Sequence, residues 1–340
     1  MNHKKLTYAI SLIVGALIFG FIFWYLGPES FGIFFKQAQP IYFIPYAIFI
    51  IGSMLAMAWK LQYILHVYKQ KVPFFKVLKY TLACFAVSYV TPSARVGGEP
   101  LKTYMMHKDS GVPLKTGGAA VVIDKFVEFL GASVVAFIGF FLLFLVPGVS
   151  TKTKSILLIL VIIGFLILFF VYYLTIKGKG PFTSLFKLLK FHRFKKFEKV
   201  NKLLKKIENR MKKFFTTYRK EFFISFLIYL LVVAFGFLEF YFLLLSMGVD
   251  ASLLMIVLAH VVLGITNFIP VPAGLGFQEA GHSGLFAIMK QGGKMGFIFS
   301  LIIRVRNLII TGIGFIIIAH FGSHEAIKNY NKTKTIKKKV

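Results

Sequence analysis

Apolar residues in this chain gather into long unbroken runs, and the polar residues fall mainly between them. Leu6 to Leu26, Ile156 to Ile176 and Phe222 to Leu245 each approach the ~20 residues a helix needs to cross ~30 Å of hydrocarbon. Each run predicts a transmembrane helix. The first is longer than the roughly 7–15 apolar residues of a secretory signal. No small-x-small cleavage site follows Trp24-Tyr25-Leu26-Gly27-Pro28, so it reads as a retained span.

Composition agrees with this reading. The 340 residues are 57% hydrophobic with 41 Phe, and the mean hydropathy is +0.76. That exceeds what a water-soluble domain can cover with polar surface. Lys and Arg total 41 against 12 acids. In a soluble chain such an excess would suggest nucleic acid, but here the cations collect in loops, as the positive-inside rule requires, and no nucleic-acid partner is expected. The single Cys84 excludes an intrachain disulfide, and no Cys/His cluster is spaced for zinc. No metal or cofactor is expected, and the Phe and Tyr abundance fits a lipid-facing surface.

Loop charges thread the chain through the bilayer. Lys4 and Lys5 place the N-terminus in the cytoplasm, and a second span runs from about Ile41 to Trp59. It returns to a basic loop holding Lys60, Lys69, Lys71, Lys76 and Lys79. The apolar stretch Val77 to Val90 is too short to cross comfortably and ends in Thr91-Pro92-Ser93-Ala94-Arg95-Val96-Gly97-Gly98-Glu99-Pro100, with more lysines beyond. Basic loops on both sides predict a re-entrant hairpin.

Gly117 to Val146 then runs outward and Ser155 to Ile176 returns. Residues 177–220 carry sixteen Lys or Arg against Glu198 and Glu208, which fixes this segment as cytoplasmic. Within it Val200, Leu203, Leu204, Ile207, Met211, Phe214, Phe215 and Tyr218 recur at helical spacing and predict an amphipathic helix on the inner leaflet. After Phe222 to Leu245, Leu253 to Phe268 enters from outside and breaks at Ile269-Pro270-Val271-Pro272-Ala273-Gly274-Leu275-Gly276. A last span, Gly296 to Phe321, leads to a basic cytoplasmic tail over residues 326–340.

The expected fold is therefore all-α and polytopic. It has about six full spans and two opposed re-entrant hairpins in one transmembrane domain, residues 1–325, split near residue 150. Eight ordinary spans are the alternative. The order span, span, hairpin, span occurs twice with opposite entry, the pattern of an inverted repeat. Each hairpin break ends in a carboxylate, Glu99 and Glu279, and the next span brings charge at a similar distance: Asp124 and Lys125, then Arg304 and Arg306.

A charge at the centre of a span costs on the order of 2.5–3.5 kcal/mol on insertion scales, so such residues face a protein interior or a wet cavity. Glu99, Asp124, Lys125, Glu128, Glu239, Glu279, Arg304 and Arg306 fall in or beside apolar segments. Asp124 and Glu128 share a helix face, with Lys125 about 100° away. An arginine such as Arg304 offers a planar fork suited to a lipid phosphate. The alternative, that these charges pair with one another and fix helix packing, stays open at this point. His260 and His282 lack a third ligand, and no nucleophile motif surrounds Ser93, Ser283 or Cys84.

At the two breaks the sequence resembles the membrane region of the lysylphosphatidylglycerol synthetase/flippase family and its stand-alone flippase-like relatives. The matching residues are Pro92 to Tyr104, including Arg95, Gly97, Gly98, Glu99, Lys102 and Tyr104; then Asp124-Lys125-Phe126-Val127-Glu128; then Pro270 to Glu279, including Pro272, Gly274 and Gly276; and Arg304. The second break has Ala273 where the family's glycine-pair form would place glycine.

The resemblance implies a multi-pass cell-membrane protein that handles polar-head lipids, with anionic phospholipid as its partner and a homodimer left open. The family's aminoacyl-transferase is a separate soluble domain following the membrane region, and this chain ends about twenty residues after its last span, so no synthetic activity is expected. The leading expectation is a flippase in which Arg304 and Lys125 counter the lipid phosphate while Glu99, Asp124 and Glu279 hold its head. No G-x-x-x-x-G-K-[ST] run offers an ATP site. A membrane-embedded transferase using Glu99 or Asp124 as base, and a non-catalytic membrane scaffold, are the alternatives.

Overall fold

The computed structural model describes residues 34–92, 96–146, 149–188 and 198–337, together with positions 20, 21, 24 and 32. The expected first span falls almost wholly outside the described residues, as do Arg95 and the last three residues of the tail. Regular structure among the described residues is helical throughout. This is what lipid imposes, because a helix satisfies its own backbone hydrogen bonds where no water can.

Eleven described α-helices follow one another: α1 (Phe43–Val67), α2 (Phe74–Val90), α3 (Glu99–Ser110), α4 (Leu114–Leu142), α5 (Thr151–Ile176), α6 (Pro181–Leu188), α7 (Glu198–Thr216), α8 (Arg219–Ser246), α9 (Leu253–Phe268), α10 (Phe277–Ile288) and α11 (Gly293–Lys337). Among the described residues, four stretches are long and apolar enough to cross a membrane: Pro40–Val67, Lys154–Ile176, Arg219–Ser246 and Gly293–Ser323. The 29-residue α4 matches them in length while carrying Asp124, Lys125 and Glu128. Exposed apolar side chains recur along the outer faces, with Ile44, Ile48, Ile51 and Leu55 on α1 and Val305, Leu308, Ile309 and Ile316 on α11. These stripes are the surface a bilayer covers.

Both expected hairpins form. Helices α2 and α3 run antiparallel, because Lys76 and Tyr80 near the start of α2 bond Asp109 at the end of α3. At 17 and 12 residues neither limb matches a full span. In the second hairpin the ring of His282 on α10 reaches the Ala259 carbonyl of α9 at 3.3 Å.

The packing repeats in the two halves. Within each, the second hairpin limb lies on the following span, α3 on α4 and α10 on α11. Between them, α1 packs on α8, and each half's last span packs on the first limb of the other half's hairpin: α11 on α2 and α4 on α9. Glycine permits both crossings, since a Cβ at Gly314 would meet Leu82 and Ala86 of α2, and one at Gly139 would meet Val257 and Val261 of α9. This exchange of partners is what an inverted repeat predicts.

Three expectations change. Lys60 lies in α1 with 1% of its surface exposed, and Lys76 and Lys79 lie in α2, so these three are not loop residues. Leu61, Ile64 and Leu65 continue the apolar pattern past Lys60, and Asp124 compensates its charge. Helix α7 does form, but its apolar stripe packs on protein as well: Met211, Phe214 and Phe215 are buried in the core that also holds Leu61, Tyr80, Met105 and Ile123. Finally, the backbone of α11 stays helical through Lys337, into the segment expected as a tail.

Candidate functional site

The first cluster of buried charge joins three helices. Asp124 of α4 lies between two lysines: Lys60 Nζ of α1 stands 3.0 Å from Oδ1 and donates to the Asp124 carbonyl at 3.1 Å, and Lys102 Nζ of α3 donates to Oδ2 at 3.2 Å. One residue on, Lys125 points to the neighbouring face and reaches Glu99 at 3.1 Å and Glu128 at 2.9 Å. Three lysines and three carboxylates leave this cluster without net charge, which is how buried ions are held at tolerable cost.

The second cluster lies on α8, α10 and α11. Glu279 in the first turn of α10 accepts from the Gly276 N–H through Oε2, at 2.9 Å, and from Arg304 Nε through Oε1, at 2.6 Å. Arg304 Nη2 also pairs with that carboxylate, and Nη1 donates to the Ala273 carbonyl at 3.4 Å. The guanidinium thus ties the α10 start and the break to α11. Two residues on, and so pointing to the other side of α11, Arg306 pairs with Glu239 of α8. Two arginines and two carboxylates again sum to zero.

The clusters sit at different depths. Tyr42 at the start of α1 meets Phe242 near the end of α8, and Lys60 lies over the Tyr229 ring at 4.9 Å, so the two helices are antiparallel. Glu239 is ten residues beyond Tyr229, about 15 Å further along α8 at 1.5 Å per residue.

Between them the hairpin tips meet. The end of α2 and the second break line a small crevice with Ser88, Tyr89, Thr91, Asn267, Ile269, Val271, Ala273 and Gly274. The first tip closes by contact: Ser88 Oγ accepts from the Gly98 N–H at 2.9 Å, and a Cβ on Gly98 would run into the Cys84 carbonyl. The second tip turns through left-handed backbone at Ala273 (φ 56°), Gly274 and Gly276.

Of the residues expected at a site, Glu99, Lys102, Asp124, Lys125 and Glu128 come together, as do Glu279 and Arg304 with Gly274, Gly276 and Pro272 around them. Gly97 and Gly98 form the turn into α3. Pro270 is exposed on the second break. Tyr104 stands apart, 45% exposed and edge-on to Phe321. Lys60, the central cation of the first cluster, is the residue sequence reasoning missed, and the resumption of apolar residues after it was the available signal.

The pairing of two broken hairpins with charged spans coincides with a match across most of the chain: residues 8–314 match the family described as the lysylphosphatidylglycerol synthase TM region. The chain belongs to that family. Similar proteins include two from Methanothermobacter thermautotrophicus, each named UPF0104 membrane protein. One is 25% identical over 293 residues, covering 81% of this chain and 83% of the relative. The other is 24% identical over 291 residues, covering 81% and 82%. The synthase TM-region assignment and the long apolar helices make this a multi-pass membrane protein.

Proposed function

We propose that this synthase TM-region protein is flippase-like: it binds polar-head lipids of the phosphatidylglycerol or aminoacylated type and moves them between leaflets. The observation that carries the reading is the meeting of two hairpin tips, each joined to a neutral cluster of paired charges. Broken helices are tolerated inside a membrane only where their freed backbone groups are buried in protein or line a water-filled cavity, and in secondary transporters such breaks meet the polar cargo. The family's description, naming a phosphatidylglycerol derivative, supports the same class of lipid.

In this reading a head group enters between the hairpins, and its phosphate takes the place of a carboxylate beside Lys125 or Arg304. Glu99, Asp124 and Glu279, so released, receive the hydroxyls or amine of the head. Each cluster opens and closes in turn, because opening both at once would expose ten buried or half-buried charges, six in the first and four in the second.

The test is a leaflet-accessibility assay on purified protein in liposomes, following fluorescent phosphatidylglycerol and its lysyl derivative. Glu99→Gln and Arg304→Ala, checked for folding by their melting temperatures, are expected to abolish movement. Absence of movement for both lipids with the unaltered protein sinks the proposal.

A further inference from the structure

Four helices contribute to a polar nest around Arg306 whose uncharged groups the proposed lipid path leaves without a role. Arg306 of α11, paired with Glu239 of α8, also donates from Nε and Nη2 to Asn307 Oδ1 at 3.2 and 2.9 Å. Tyr46 of α1 and Tyr89 of α2 lie within electrostatic reach of the same guanidinium. Three groups on α1 and α11 remain without hydrogen-bond partners among the described residues: Asn307 Nδ2, Tyr46 Oη and Thr311 Oγ1. Their residues are 1%, 5% and 5% exposed.

Buried polar groups are almost always bonded, so several unpartnered ones close together call for an occupant. Asn307 and Thr311 stand four residues apart on one face of α11. Tyr89 also lines the crevice between the hairpin tips, which gives the nest a mouth. Its charge is already balanced by Glu239 and Arg306, so a second ionic group has no counter-charge here. What it offers is an amide donor and two hydroxyls able to donate or accept. An uncharged group with neighbouring hydroxyls satisfies all three.

We infer that Tyr46, Asn307 and Thr311 form a subsite for the hydroxyls of a polyol head group, such as the terminal glycerol of a phosphatidylglycerol-type lipid. This rests on the lipid-moving reading and deepens it: the ion-pair clusters meet the phosphate, while the nest selects heads that carry hydroxyls. Each group is unremarkable alone, and the approach of Tyr46 on α1 and Asn307 on α11 to the Arg306 guanidinium makes them a set with Thr311 one turn on.

The experiment compares phosphatidylglycerol with phosphatidylpropanol, whose three-carbon head lacks both free hydroxyls, each as a fluorescent lipid in proteoliposomes. The unaltered protein is expected to move phosphatidylglycerol about tenfold faster, the scale of one or two net hydrogen bonds. Tyr46→Phe combined with Thr311→Val brings that ratio close to one. It leaves the melting temperature equal or higher, because it removes polar atoms that have no partner in the protein. Asn307→Leu, measured in parallel, carries the same expectation for the ratio and serves if the double variant folds poorly. Equal rates for the two lipids with unaltered protein would overturn the subsite and leave the flippase reading standing. A tenfold preference that survives all the substitutions would overturn the assignment to these residues. Movement of neither lipid overturns both readings.

Discussion

The two hairpin tips solve one problem by different chemistry. Each must turn the chain between two short helices and fix the helix that follows to the next span. In the first half the tip is closed by contact, with Gly98 set against the Cys84 backbone, while lysines supply the charge through point-like ammonium groups. In the second half a planar guanidinium holds the tip, with Arg304 tying Glu279 and the Ala273 carbonyl to α11. Lysine can exchange partners by rotating about its stem, whereas the arginine fork is oriented by several bonds at once. The first tip is thereby the more easily rearranged, and the second the more rigid anchor.

The largest effect tests the first cluster. Asp124→Asn leaves Lys60 and Lys102 facing each other without their shared carboxylate, and removal of one partner from a buried ion pair costs about 3–5 kcal/mol. Thermal unfolding in detergent should show it as a loss of many degrees. Replacing the neutral pair Lys60 and Asp124 by apolar residues of similar volume, Lys60→Met with Asp124→Leu, keeps the charge sum of the cluster at zero and should recover most of that stability while removing lipid movement. If this double variant is as unstable as the single one, the cluster is not a compensated set.

Next in size is Gly98→Ala. The added methyl meets the carbonyl of Cys84, a backbone atom with little freedom to move, and overpacking of this kind costs about 1–3 kcal/mol. Wild-type stability in this variant would mean that the first tip is not closed by contact and that the contrast between the hairpins fails.

Much of this architecture was legible in the sequence. Apolar runs announce spans because lipid admits little else, and Pro92, Pro270 and Pro272 mark breaks because proline cannot continue a helix's hydrogen bonds. Glu99 and Glu279 announced themselves by ending those breaks. The pairings were not legible. Whether Asp124 faces Lys60, Lys125 or nothing depends on how α1 and α4 rotate against each other, which hydropathy does not specify. Lys60 was misplaced for a related reason: a lysine near the end of an apolar run looks like the start of a loop until a buried partner explains it. The apolar stripe of α7 marks a helix face, but amphipathicity alone does not say whether protein or lipid covers it.

A smaller effect of opposite sign tests the second tip. Ala273 adopts φ 56°, in the left-handed region where a side chain costs roughly 1–2 kcal/mol and glycine costs much less. Ala273→Gly should therefore stabilise the protein by up to about 1 kcal/mol, after the larger chain entropy glycine loses on folding is subtracted. The Arg304 bond to the carbonyl of residue 273 survives the change, because it involves only backbone on that side. A fall in melting temperature would show that the break takes another shape.

The smallest effect lies at the mouth of the first hairpin. Burial there works against the Asp109 carboxylate, but hydrogen bonds from Tyr80 and Lys76 outweigh it and hold its pKa below the ordinary carboxylate range. A depressed folded-state pKa contributes stability that is fully present above the unfolded value and is lost as pH falls through the folded one. The tie between the start of α2 and the end of α3 should thus hold at neutral pH and loosen only under acid conditions, at a pH below that at which a free aspartate protonates. Because Asp109 and Lys76 are each more than a third exposed, water and salt screen the pair and the shift in melting temperature will be slight. Asp109→Asn should abolish that part of the acid dependence. An acid profile unchanged by Asp109→Asn would place the acid sensitivity of this hairpin at other carboxylates.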